Sequence, residues 1–300
     1  MARKNGKDLK KQALAVIKSR IHQQNLPTKN IGKYKPLQSI RSINDTAYAL
    51  SNIAKELGVT RIKHISPDLA KQYLDERKNN YASQKSLDRD RKALSIALQI
   101  NLERSDYTAI TESELSSRSY TNNQITEITS YMSERNALAT QIAHKAGLRA
   151  HELITIMRDN EVGASSSREW SEDRFSGREG KLFIVTGKGG LRRQVLLPND
   201  LAASLETKRL AAPKITTDRK VRYLQYYDIG GGNNLSSAFT RASKKALNFS
   251  HGLHGVRHSY AQERLDEVKY FFKIDHDSAR DVVAQELGHF RGYITETYLR

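Results

Sequence analysis

The chain has 300 residues, enough for two domains of ordinary size, and its 38% apolar content is adequate for a core without being rich. Fifty Lys and Arg face 33 Asp and Glu, and the formal net charge of +17 suits a polyanionic partner. The lack of cysteine excludes disulfides and thiolate metal sites and fits a reducing cytoplasm. No apolar run approaches the roughly 20 residues that span a bilayer, and no apolar segment follows the basic N-terminus as it would in a secretory signal.

Residues 1–35 hold ten basic residues against one acid, Asp8, so just over half of the excess charge sits in about an eighth of the chain. Within them, Leu9, Ala13, Val16, Ile17 and Ile21 recur at helical spacing and predict a helix over 8–24, which Pro27 and Pro36 separate from the next helical stretch. Three or four helices are expected over 37–100. One carries the stripe Ala47, Leu50, Ile53, Ala54 and Leu57 and ends at Gly58; the next opens at Pro67. The last carries Leu87, Ala93, Leu94, Ala97 and Leu98. Residues 101–123 lose periodicity and read as a linker, placing a domain boundary near residue 116: an all-helical basic unit over 1–115 and a second domain over 116–300. Helices are expected at 123–134 and 135–147. The polar stretch 158–180 reads as a flexible surface loop, although its Arg168, Trp170, Arg174 and Arg178 are of the kind that contact DNA or a partner. The period then changes: 181–186 and 193–197 read as strands about the Gly-rich turn Gly187-Lys188-Gly189-Gly190. Helices return at 198–210, 234–247, 255–269 and 277–288. The expected fold is mainly α with a small β-sheet (α+β), without internal repeats.

Several short segments carry chemistry. Ala146-Gly147-Leu148-Arg149-Ala150-His151-Glu152 reads as a helix junction, and alone its arginine would be an ordinary surface charge. Lys188 at a hairpin tip would alone be a solubilising turn residue. In His254-Gly255-Val256-Arg257-His258-Ser259, His254 and Arg257 share a face if they form a first helical turn, where free N–H groups also favour an anion. His251, His254 and His258 lack the acidic or Cys partners of a zinc site. Leu287-Gly288-His289 is followed after eight residues by Tyr298.

Together these segments resemble the tyrosine recombinase (phage integrase) family over roughly residues 120–300. The match lies in Gly-Leu-Arg149-x-x-Glu152-Leu, Gly-Lys188-Gly in a hairpin, His254-x-x-Arg257-His-Ser-x-Ala, and Leu-Gly-His289 with Tyr298. The unit before it matches the family's core-binding domain only in size, helicity and charge. The resemblance implies a two-domain C-shaped clamp on duplex DNA, with four protomers on two attachment sites and, for some relatives, DNA-bending accessory proteins. It implies a nucleoid-associated cytoplasmic protein, no membrane, and a reaction without cofactor or metal.

It also implies roles. Arg149 and Arg257 would bind the phosphoryl oxygens bidentately, with His254 and His289 on the same phosphate. Lys188 would protonate the leaving 5′-oxygen, Glu152 would support the first arginine, and Tyr298 would attack phosphorus to give a 3′-phosphotyrosyl enzyme. A phenol is mostly protonated near pH 7, so it needs a base or a strong positive field. Tyr293 is the rival nucleophile and His251 the rival of His254. Only Leu299 and Arg300 follow Tyr298, where many relatives continue into a docking helix; either protomers meet through other surfaces or the chain is shortened. A mobile-element integrase is the favoured reading. A chromosome-dimer resolvase of the Xer kind, a type IB topoisomerase and a catalytically inactive DNA-binding regulator are its alternatives.

Overall fold

The computed structural model describes residues 8–24, 37, 40–78, 80–81, 83–108 and 116–299, with the side chains of 21–24 and 188 outside the description. The amphipathic stripe at the start of the chain forms helix α1 (Leu9–Gln24), which buries Ala13 and Ile17. It packs mainly on α2 (Ile40–Glu56), in a unit completed by α3 (Pro67–Arg77) and α4 (Gln84–Leu98). The Gln12 side chain ties α1 down further, accepting from the Ile62 N–H at 3.2 Å. The basic helix is therefore part of a folded core and not a free arm; Lys residues at 4, 7, 29, 33 and 35 and Arg3 lie outside the described residues. Ser66 caps α3 by accepting from the Leu69 N–H at 3.1 Å, and Pro67 occupies the first turn, where its missing N–H costs nothing. Leu50, Ile53, Leu74, Leu87 and Leu94 fill the centre of this unit.

The chain divides into two compact units, Met1–Glu114 and Leu115–Arg300. The second opens with α5 (Asn122–Ser130), whose N-terminus is closed by a reciprocal Thr121–Gln124 capping box. Helix α6 (Glu134–Ala146) comes next and ends at Gly147, which has φ +61°. Strand β1 (Met157–Arg158) pairs antiparallel with β2 (Lys181–Thr186), and β2 with β3 (Arg192–Leu197), giving a three-stranded sheet in the order β1-β2-β3. Phe183, Val185, Val195 and Leu197 turn from this sheet onto α5 and α6, joined by Phe239 of α8 (Gly232–Leu247) and Val256 of α9 (Gly255–Phe272). A second cluster, with Tyr260, Ala261, Val268, Val283, Leu287 and Tyr298, is formed by α9, α10 (His276–Glu286) and the 3₁₀ turn Gly292–Tyr298. Tyr298 is thus held by apolar packing as well as by its polar surroundings.

Two expectations need correction. The helix expected over 198–210 stops early: α7 spans Asn199–Glu206, and β4 (Arg209–Asp218) and β5 (Val221–Tyr227) then form a separate two-stranded hairpin. The β-branched and aromatic run from Ile215 to Tyr227 favours strands, and a register shift between Arg209 and Lys214 accommodates Pro213. The loop 158–180 is not a loose surface segment. The Glu286 carboxylate accepts from the Phe175 N–H at 2.7 Å and from Arg264 Nε at 3.0 Å, and Arg264 also donates to the Ser176 carbonyl. Arg178 donates to Glu267 at 2.6 Å, and Arg174 lies over Trp170, which packs edge-on against Phe290. Arg178 fastens the loop to α9 and Arg174 ties it to Gln194 of β3 at 3.1 Å, and both side chains are partly withdrawn from solvent.

Candidate active site

The site is built around a carboxylate. Glu152 begins the 3₁₀ turn Glu152–Thr155, just after the sharp end of α6, and is completely buried. It accepts from the backbone N–H and Nη1 of Arg149, each at 2.8 Å, and from Nη2 of Arg193 on β3 at 2.8 Å; Nη1 of Arg257 lies 3.9 Å away. Burial alone would raise the Glu152 pKa, but Arg193, Arg257 and Arg149 outweigh it and hold the carboxyl well below its usual range. Three guanidiniums therefore share one negative charge. Burial, then Arg149, pushes the Arg257 pKa down, as expected for a cation crowded by cations in a dry site.

Arg257 is aimed by backbone. It donates from Nη1 to the Gly147 carbonyl and from Nη2 to the Leu287 carbonyl, so it joins the ends of α6 and α10. Gly147 is required for more than its positive φ: a Cβ there would lie 2.6 Å from Tyr260 and 2.8 Å from Leu287. Arg149 Nη2 lies 2.8 Å from His289 Nε2. Guanidinium has no acceptor, so this nitrogen of the ring accepts and the neutral ring carries its proton on Nδ1. Among the described residues, Nδ1 has no partner, nor do Nε of Arg257 or Nε and Nη1 of Arg193. Buried donors without acceptors beside surplus positive charge describe a site shaped for an anion.

Tyr298 lies in this field. The Arg257 guanidinium is 5.3 Å from its ring centre, and the rings of His258, His254 and His289 are 4.9, 5.4 and 5.5 Å away. Burial and then Arg257 push the His289 pKa down to about 3. Burial, then Arg257 and His258, push His254 down to about 4, although part of its surface faces solvent. Both shifts favour the neutral ring near pH 7, and a bound anion would raise both pKa values. Tyr293, the rival tyrosine, is 63% exposed and its hydroxyl accepts from Arg291 at 3.1 Å, away from this cluster. His251, the rival histidine, packs on Tyr120 and Phe249.

The fold thus brings together Arg149, Glu152, His254, Arg257, His289 and Tyr298. The backbone of Lys188 lies in the turn between β2 and β3, and its side chain is outside the described residues. Sequence reasoning missed Arg193 and His258. Strand alternation places Arg193 on the face of Val195 and Leu197, a signal for a buried arginine. His258 comes one helical turn after His254 and so shares its face. Among the described residues, no group of three or more His, Asp or Glu is arranged to hold a metal.

No family model and no curated protein matches the chain. Solved structures do. A XerH site-specific recombinase bound to palindromic difH substrate in a post-cleavage complex is 15% identical, with a TM-score of 0.55 over 99% of this chain and 94% of that one. The Tn1549 transposon integrase in complex with a circular intermediate DNA is 14% identical, with a TM-score of 0.53 over 96% and 95%. A lambda integrase tetramer bound to a Holliday junction is 15% identical, with a TM-score of 0.55 over 95% and 76%. The chain therefore has the fold of the tyrosine recombinases that its motifs resemble.

Proposed function

We propose that this protein is a site-specific tyrosine recombinase that cuts and rejoins duplex DNA through Tyr298. The observation that carries this reading is the placement of the Tyr298 ring beside His254, His258, His289 and Arg257, at the edge of a cationic cluster with unpaired donors. A scissile phosphate would supply the missing negative charge, taking bidentate bonds from Arg149 and Arg257. His289 would release Arg149 and turn to the phosphate, where binding raises its pKa. The Tyr298 oxygen would attack phosphorus, passing its proton toward His254, while the 5′-oxygen leaves with a proton from Lys188. The product is a 3′-phosphotyrosyl enzyme and a free 5′-hydroxyl. The phosphodiester bond energy is retained in the adduct, so rejoining needs no nucleotide.

In this reading the two units close around DNA as a clamp, and four protomers join two attachment sites, with DNA-bending proteins as accessories where the sites require them. The cellular setting is the cytoplasm, at the nucleoid; among the described residues no helix is long and apolar enough to cross a membrane. Integration and excision of a mobile element is the favoured role, and dimer resolution shares the same chemistry.

The test is a suicide substrate: nicked DNA carrying the candidate site, with EDTA present, incubated with wild type and Tyr298→Phe. Wild type is expected to form a covalent adduct resolved by denaturing gel, and the variant none. An adduct that survives the substitution moves the nucleophile elsewhere, to Tyr293 first. No adduct from either protein on DNA that both bind would favour a DNA-binding regulator.

A further inference from the structure

The hairpin β4–β5 plays no part in the chemistry above, yet it is fastened to the segment that carries Arg149. The Tyr223 ring of β5 faces the His151 ring at 6.5 Å between centres, and Asp218 of β4 holds the start of α8, where the Gly232 N–H donates to the Ala150 carbonyl at 2.7 Å. Asp218 pairs with Val221, so the turn is Arg219-Lys220, a two-residue loop with φ +47° and +68°. Positive φ at both central positions is the type I′ geometry, for which Asn-Gly is the favoured pair. Here two long basic side chains occupy it against their own backbone preference. Arg219, Lys220 and Arg222 are all exposed; Arg219 donates to the Asn233 side-chain oxygen at 2.7 Å and keeps its charge, and neither Lys220 nor Arg222 has an acidic partner among the described residues. The other cations of the hairpin are neutralised: Lys214 by Asp228 at 3.1 Å and Arg209 by Glu161. The Asp218 carboxylate beside the turn accepts from the Asn233 N–H at 2.7 Å.

We propose that this turn is a phosphate-contacting finger that grips the DNA backbone beside the scissile phosphate. Strain kept in a turn that holds Lys220 without an acidic partner among the described residues, on an element packed against the segment that carries Arg149, fits a role in ligand contact better than one in folding. The finger rests on the recombinase reading in taking duplex DNA as its polyanion and in placing the scissile phosphate at Arg149 and Arg257. Phosphate contacts of this kind fix position and raise affinity without reading sequence. The same hairpin also exposes the cross-strand pair Ile215 and Leu224 on the face of Arg222, which is where a protein partner would sit instead.

The test replaces the turn by its preferred pair, Arg219→Asn with Lys220→Gly, and measures binding to a 30-base-pair duplex of mixed sequence across a salt series. Removing one phosphate interaction lowers the slope of log K against log salt by about 0.9. Removing two shrinks the affinity change between 50 and 200 mM salt by about twelvefold. The same variant is expected to melt at a higher temperature than wild type, because the strain is relieved, so weaker binding cannot be assigned to misfolding. An unchanged slope in the variant, with wild type still binding DNA and forming its adduct, would overturn the finger and leave the recombinase reading intact. A wild type with no salt-dependent binding would remove both. Unchanged DNA binding combined with loss of self-association in Ile215→Ser/Leu224→Ser would assign the hairpin to protein contact and overturn the proposal.

Discussion

At the scale of single residues, the site is a problem of unbalanced charge. Glu152 is the carboxylate shared by Arg149, Arg193 and Arg257, and it lies fully buried among them. Removing its charge with Glu152→Gln leaves three guanidiniums without an anion. Breaking a buried ion pair in this way costs about 3–5 kcal/mol. The variant is expected to lose stability by that order in chloride buffer, measured by denaturant unfolding. Sulfate at equal ionic strength should return more of it than it adds to wild type, because the anion replaces the missing charge in the cluster. Equal responses to sulfate would show that the donors around Arg193 and Arg257 do not form an anion site. Arg149, Glu152, His254, Arg257, His289 and Tyr298 were legible as a set because their types and spacings match a known pattern. Arg193 was not, since a buried arginine on a strand is visible only when its carboxylate partner, 41 positions earlier, is known to be near.

At the scale of elements, the site depends on where helices end. Gly147 stops α6 with a left-handed backbone, lets Tyr260 and Leu287 close over it, and offers its carbonyl to Arg257. Gly147→Ala should therefore combine the left-handed penalty of roughly 1–2 kcal/mol with an overpacking cost of about 1–3 kcal/mol. It should also weaken covalent adduct formation by shifting Arg257. Gly58 has φ +67° but open space where a Cβ would stand, so Gly58→Ala should cost the first term alone and leave the adduct yield unchanged. Chemical denaturation and the suicide substrate read both; equal losses for the two variants would mean that the packing around Gly147 is not what aims Arg257. The helix ends at Gly58 and Gly147 were legible from sequence because glycine there has a local cause. The hairpin β4–β5 was not, since its first half, Arg209-Leu210-Ala211-Ala212-Pro213, lacks β-branched residues, and its Pro argues locally for a break rather than a strand.

At the scale of the molecule, charge decides both partner and assembly. A chain of net charge +17 repels its own copies, and that repulsion opposes any tetramer formed without DNA. A duplex reverses the balance, because each phosphate contact releases a condensed counterion and screens one protomer from the next. Among the described residues, the large apolar side chains left exposed occur singly or in pairs, such as Tyr131, Ile215 with Leu224, and Tyr270 with Phe271. Groups as small as these do not by themselves supply an obligate interface. Sedimentation of the free protein is therefore expected to give a monomer or a weak dimer at micromolar concentration. On duplexes carrying the target site it should give complexes that reach four protomers on two DNAs. Raising salt from 50 to 200 mM should dissolve those complexes before it affects the fold, since six or more phosphate contacts lose about a thousandfold in affinity over that range. A tetramer that persists without DNA and resists salt would mean that protein surfaces, and not the shared polyanion, hold the protomers together.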